Sequence, residues 1–319
     1  METQHNENMR LRRTAIGVIG LCVFSLLIFK GAKNNPVRIK ELEVLSPVAV
    51  PLIPRENPFD SVSLKAKSAY VWDASSGKAL FELNSEDQLP LASLTKIMTA
   101  ITARELLPED ALVTIDGGSL RQEGDSGLRP GEKWKLSDLL RFTLLVSSND
   151  GAHAVANAFS ALDSAQASRK TLPFIEAMNK NVEAIGLRST YFINESGLDV
   201  SEGVSGGYGT ARDVAKLFEY AVRSHPDIFD ITKEKNGSFL SENRIAHPGE
   251  NTNKITAKIP RLIASKTGLS ELAGGNLVIE FEPAQGHPVV IVVLGSTAEG
   301  RFEDTLALVG ATQKYFDDL

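Results

Sequence analysis

Three short runs hold side chains whose types and spacing suit acyl transfer: Ser93-Leu94-Thr95-Lys96, Ser147-Ser148-Asn149 and Lys266-Thr267-Gly268. A hydroxyl and an amine at i and i+3 share one face of a helix, so Ser93 and Lys96 come within reach of proton transfer. A serine attacks only when a base takes its proton. A lysine is that base only when burial or a nearby cation lowers its pKa, and Lys266 is the cation expected to act on Lys96. Ser147 is suited to relay a proton towards Lys96 or a leaving amine, and Asn149 to hydrogen-bond a substrate amide. Lys266 and Thr267 suit a carboxylate, the lysine by charge and the threonine by its hydroxyl. Gly268 lets a substrate backbone lie alongside as an added strand. The N–H groups of Leu269 and Ser93 are candidates for an oxyanion hole.

An S-x-x-K run alone is a weak signal, and the chain holds a second in Ser75-Ser76-Gly77-Lys78. The elements separate the two. Residues 68–73 and 78–83 read as strands flanking a turn that contains Ser75, where nothing fixes Lys78. Ser93 instead opens a helix over 93–106 that turns Ile97, Ala100, Ile101 and Ala103 towards a core. Free N–H groups at the start of that helix favour negative charge on an attacking oxygen. Residues 135–146 form a second helix whose polar end is Ser147-Ser148-Asn149. Helical patterns follow at 151–161, 174–185 and 211–223. Strands return at 261–265, 275–281 and 289–294, with Lys266 at the end of the first, and a helix over 301–316 closes the chain. Strands at both ends with helices between predict an α+β, three-layer α/β/α unit.

Of 319 residues, 42% are hydrophobic and 23% charged, an ordinary globular composition, and the net charge of -6 leaves no basic excess for nucleic acid. The five histidines, His5, His153, His225, His247 and His287, are scattered, and the single cysteine is Cys22. No metal or cofactor is expected. Residues 14–29 carry no charge and follow Arg10, Arg12 and Arg13, which fits a signal peptide or a signal anchor. The reading favours an uncleaved anchor with its N-terminus inside. Five prolines between 36 and 58 describe a semi-extended tether. The expected organisation is therefore 1–33 as cytoplasmic stub and transmembrane anchor, 34–60 as tether, and 61–319 as the folded unit, held outside the cytoplasm.

The three runs, in this order, resemble the low-molecular-mass penicillin-binding proteins, the serine-type D-Ala-D-Ala carboxypeptidases of peptidase family S11. The resemblance extends to Pro90–Ala100, to Leu128-Arg129-Pro130-Gly131-Glu132, to Asn194-Glu195-Ser196-Gly197-Leu198, to Thr210-Ala211-Arg212-Asp213 and to Asn251-Thr252-Asn253-Lys254. It implies a β-lactamase/transpeptidase-like fold, an antiparallel sheet with helices on both faces, and an acyl-enzyme mechanism inhibited by β-lactams. The substrate implied is a peptidoglycan stem peptide ending in D-Ala-D-Ala. By resemblance Ser93 is the acylated serine, Lys96 its base, Ser147 the proton shuttle and Lys266 the carboxylate site. Arg301 stands where a family arginine lies near that carboxylate. The sequence departs from the usual pattern at Ala264-Ser265 and Leu269. A DD-endopeptidase, a β-lactamase and a non-catalytic penicillin-binding sensor share these motifs. A β-lactamase would also need a carboxylate to position its deacylating water, and the sequence identifies none.

Overall fold

The computed structural model describes residues 56–165 and 173–319. Five strands build the central sheet: β1 (Ser68–Asp73), β2 (Lys78–Leu83), β3 (Leu262–Ser270), β4 (Gly274–Ala284) and β5 (His287–Ser296). Their order is β3-β4-β5-β1-β2, and every neighbouring pair is antiparallel. Six long helices accompany it: α1 (Thr95–Leu106), α2 (Leu136–Val146), α3 (Asn149–Ala165), α4 (Phe174–Ile185), α5 (Ala211–Ser224) and α6 (Gly300–Asp317).

Side chains alternate across a strand, so a sheet covered on both faces needs apolar residues at every position. β5 supplies them. Val289, Ile291 and Val293 pack with Phe302, Leu308 and Val309 of α6. Val290, Val292 and Leu294 face the larger core of α1, α2 and α5. Burying one such side chain is worth about 1.5–3 kcal/mol over leaving it exposed. The expected three-layer α+β architecture is the one observed.

α1 lies deeper than a one-faced pattern suggests. Every residue from Thr95 to Ala103 is buried, Lys96 among them. β3 also runs to Ser270, so Lys266 lies inside a strand, opposite Val278, and not at the strand's end. β3 is the edge of the sheet, and at Gly268 it closes on the turn that carries Ser93. The folded unit reaches back before Ser61, because Phe59 is buried and stacks on Phe81 with ring centroids 5.7 Å apart. Among the described residues no helix is long and apolar enough to cross a membrane. The apolar run 14–29 and the tether as far as Arg55 lie outside the described residues.

Candidate active site

Ser93 lies in a short 3-10 turn, Ala92–Leu94, that leads into α1. Asn276 of β4 fastens this turn to the sheet: its Nδ2 donates to the carbonyls of Pro90 and Leu91 at 3.0 and 3.1 Å. Ala92 has φ of 48°, a left-handed conformation uncommon outside glycine and frequent at functional sites. Two glycines let neighbouring backbones close on the turn. A Cβ on Gly197 would lie 1.9 Å from the Ala92 carbonyl oxygen, and one on Gly268 would lie 2.7 Å from that of Leu91. Gly268 therefore serves a close approach within the fold, beyond any it gives a substrate strand.

The Lys96 amine reaches three acceptors: Ser93 Oγ at 2.9 Å, Asn149 Oδ1 at 2.6 Å and the Ser196 carbonyl at 2.7 Å. Burial lowers its pKa to about 7, while the Glu195 carboxylate pulls in the opposite direction. Near neutral pH both forms are thus accessible. A neutral amine keeps two N–H bonds, enough for Asn149 and Ser196, and turns its lone pair to the Ser93 hydroxyl.

A second buried lysine stands opposite. Lys266 donates to Ser147 Oγ at 2.8 Å and to the Thr267 carbonyl at 2.9 Å. Its pKa lies well below the ordinary lysine value, through burial first and then the charges of Lys96 and Arg301. Burial is the first cause of the low pKa at both lysines, and the repulsion between the two cations adds to it. An anion arriving beside Lys266 would relieve that repulsion and restore its charge. Thr267 Oγ1 is 2.5 Å from Thr252 Oγ1. Arg301, only 7% exposed, donates from Nη1 to the Gly268 carbonyl at 2.6 Å, and its Nε has no hydrogen-bond partner. That cation therefore lies against the strand that carries Lys266.

Ser147 caps α2 in a left-handed conformation, φ 61°, which turns its hydroxyl to Lys266. The Asn149 side chain is held at both ends: its Oδ1 accepts from Lys96 and its Nδ2 donates to the Glu123 carbonyl at 2.6 Å. Leu269 pairs across the sheet with Gly275, and its side chain is exposed. The members of the other S-x-x-K run have separate partners: Ser75 donates to Asp73 at 2.7 Å, and Lys78, expected to be unfixed, is held by the Tyr315 hydroxyl at 2.8 Å.

Sequence reasoning did not single out Asn276, Thr252 or Glu195, nor the Ser196 carbonyl. Thr252, Glu195 and Ser196 lie in stretches that carry the family resemblance, which was the available signal. Asn276 had none, because its partners are backbone carbonyls distant in sequence.

The profile of the D-alanyl-D-alanine carboxypeptidase family, peptidase family S11, matches residues 55–298. The chain belongs to that family. It is 28% identical over 274 residues to D-alanyl-D-alanine carboxypeptidase DacC of Escherichia coli, which covers 82% of this chain and 64% of the relative. It is 30% identical over 269 residues to DacA of the same organism, covering 80% of this chain and 62% of the relative. The chain thus spans less than two thirds of the length of these curated relatives. Among solved structures it is similar to penicillin-binding protein D2 of Listeria monocytogenes in its ampicillin-bound form. The identity there is 27% and the TM-score 0.65, over 78% of this chain and 98% of the other.

Proposed function

We propose that the protein is a serine D-alanyl-D-alanine carboxypeptidase that trims peptidoglycan stem peptides through an acyl-enzyme on Ser93. The observation that carries this reading is the pair of buried lysines. One lies 2.9 Å from Ser93 Oγ and the other 2.8 Å from Ser147 Oγ.

In this mechanism neutral Lys96 takes the Ser93 proton as Oγ attacks the carbonyl of the penultimate D-alanine. The N–H groups of Ser93 and Leu269 receive the developing oxyanion. Ser147 passes a proton to the leaving amine, and the C–N bond breaks to release D-alanine. Water then attacks the ester, and Ser93 regains its proton. Lys266, Thr267 and Arg301 bind the terminal carboxylate, and Asn149 keeps the Lys96 amine aimed at Ser93. The same nucleophile would be acylated by β-lactams. The N-terminal apolar run 14–29 supports a single-pass anchor, with the proline-bearing stretch from residue 34 up to the folded unit as tether and the catalytic unit outside the cytoplasm.

Two assays together test the reading: penicillin labelling with mass mapping, and D-alanine release from a free pentapeptide. Wild type should be labelled on Ser93 and release D-alanine, and Ser93→Ala should do neither. Label that persists in Ser93→Ala would refute the assignment. Cleavage of a cross-linked dimer alone would make the enzyme an endopeptidase instead.

A further inference from the structure

His153 on α3 and Glu195, in the segment between α4 and α5, form a hydrogen-bonded pair near the candidate site. His153 Nδ1 lies 2.7 Å from Glu195 Oε1, and the two side chains are 29% and 12% exposed. The segment carrying Glu195 also cradles α1. The Glu195 carbonyl accepts from Thr99 Oγ1 at 2.6 Å, and the next carbonyl, that of Ser196, accepts from the Lys96 amine at 2.7 Å. The residue held by His153 thus immediately precedes the carbonyl that accepts from the candidate base.

We propose that Glu195, fastened by His153, is a positioning residue that sets the proportion of Lys96 present as free base. The proposal rests on the acyl-enzyme reading of the site. Its second support is electrostatic. Glu195 is the charged group that counters burial at Lys96. The opposite effect is lodged across the site, where Lys96 and Arg301 act on Lys266. Around the pair, His153 also acts on Asp116, ahead of the 3-10 turn Ser119–Arg121, and on Asp150 of α3. Glu195 therefore opposes desolvation and keeps the Lys96 ammonium from becoming wholly inaccessible at neutral pH. A proton taken from Ser93 can then reside on the amine while the acyl bond forms.

The test is the pH dependence of the second-order rate of Ser93 acylation by penicillin. Wild type should rise through an acid limb as Lys96 loses its proton. Removing the Glu195 charge makes that proton easier to lose, so Glu195→Gln should move the limb to lower pH, by the order of one unit. His153→Ala should move it the same way by less, because an unfastened carboxylate drifts into water. His153→Ala also stands in if Glu195→Gln fails to fold. A slower rate with the limb unmoved in whichever variants fold would make the pair merely structural and overturn the inference. A wild type that penicillin does not acylate would bring down the acyl-enzyme reading, and this inference with it.

Discussion

A lysine without water is a poor cation, and Lys96 is only 1% exposed. That burial helps the proposed chemistry and costs stability, and the two consequences share one proton. The Lys96 pKa falls from 10.5 to about 7 on folding. Between those values the unfolded chain carries a proton that the folded chain lacks. Stability therefore rises with pH across this window, by up to about 1.4 kcal/mol per unit, and the advantage is lost as pH falls towards 7. Lys96→Met removes the titration. Denaturant midpoints from pH 7 to pH 10 should show wild type gaining on the variant as pH rises, while the variant shows no acylation at any pH. Parallel curves would mean that Lys96 keeps its proton in the fold.

At the scale of elements, the nucleophile turn is caught between β3 on one side and the Asn194–Leu198 segment on the other. Gly197 combines a φ of 80° with a Cβ position 1.9 Å from a backbone oxygen that cannot yield cheaply. Gly197→Ala must push either that segment or the turn away. It should cost roughly 2–4 kcal/mol of stability and slow penicillin acylation at least tenfold. Thermal unfolding and a labelling time course would check both. The same packing explains what the sequence could reveal. Ser93 and Lys96 were legible because their relation is local, one helix turn, and the three-layer order was legible from where strands and helices fall. The Ser196 carbonyl was not, since every residue offers a carbonyl and only the fold selects one. That Asn149 meets the Lys96 amine was not legible either, because nothing in Ser147-Ser148-Asn149 says that a buried amine 53 residues away claims its oxygen. Lys266 was placed at a strand's end because the pairing of Ser265–Ser270 with β4 depends on where the chain turns back.

At the scale of the molecule, the sheet holds a carboxylate that does not suit its surroundings. Glu280 on β4 is 6% exposed, and its Oε2 has no hydrogen-bond partner. Burial raises its pKa from 4.5 to about 8, helped by Glu219 of α5 and opposed by Arg223. Between those values the folded protein holds a proton that the unfolded chain has released, so this group's contribution to stability falls as pH rises from about 4.5 to about 8. Glu280→Gln should abolish that fall. Its thermal midpoint should pull ahead of wild type between pH 5 and pH 8, and equal slopes would show that Glu280 is ionised throughout.

The position of β1 bears on when the candidate site can be assembled. β1 sits between β2, its neighbour in sequence, and β5, where Ser68 pairs with Leu294. A chain made from its N-terminus exposes Ser93 and Lys96 long before residues 289–294 exist to flank β1. The hairpin of β1 and β2 must wait for that partner, and contacts of such long range form slowly. Lys266 likewise reaches Ser147 across 119 residues. The two lysines are thus brought face to face only in the finished domain, and a fragment ending at Ser270, with both lysines but without β4 and β5, should not react with penicillin. Ser93 should therefore stay unreactive until the strands that follow it by about 170 residues have been made and paired.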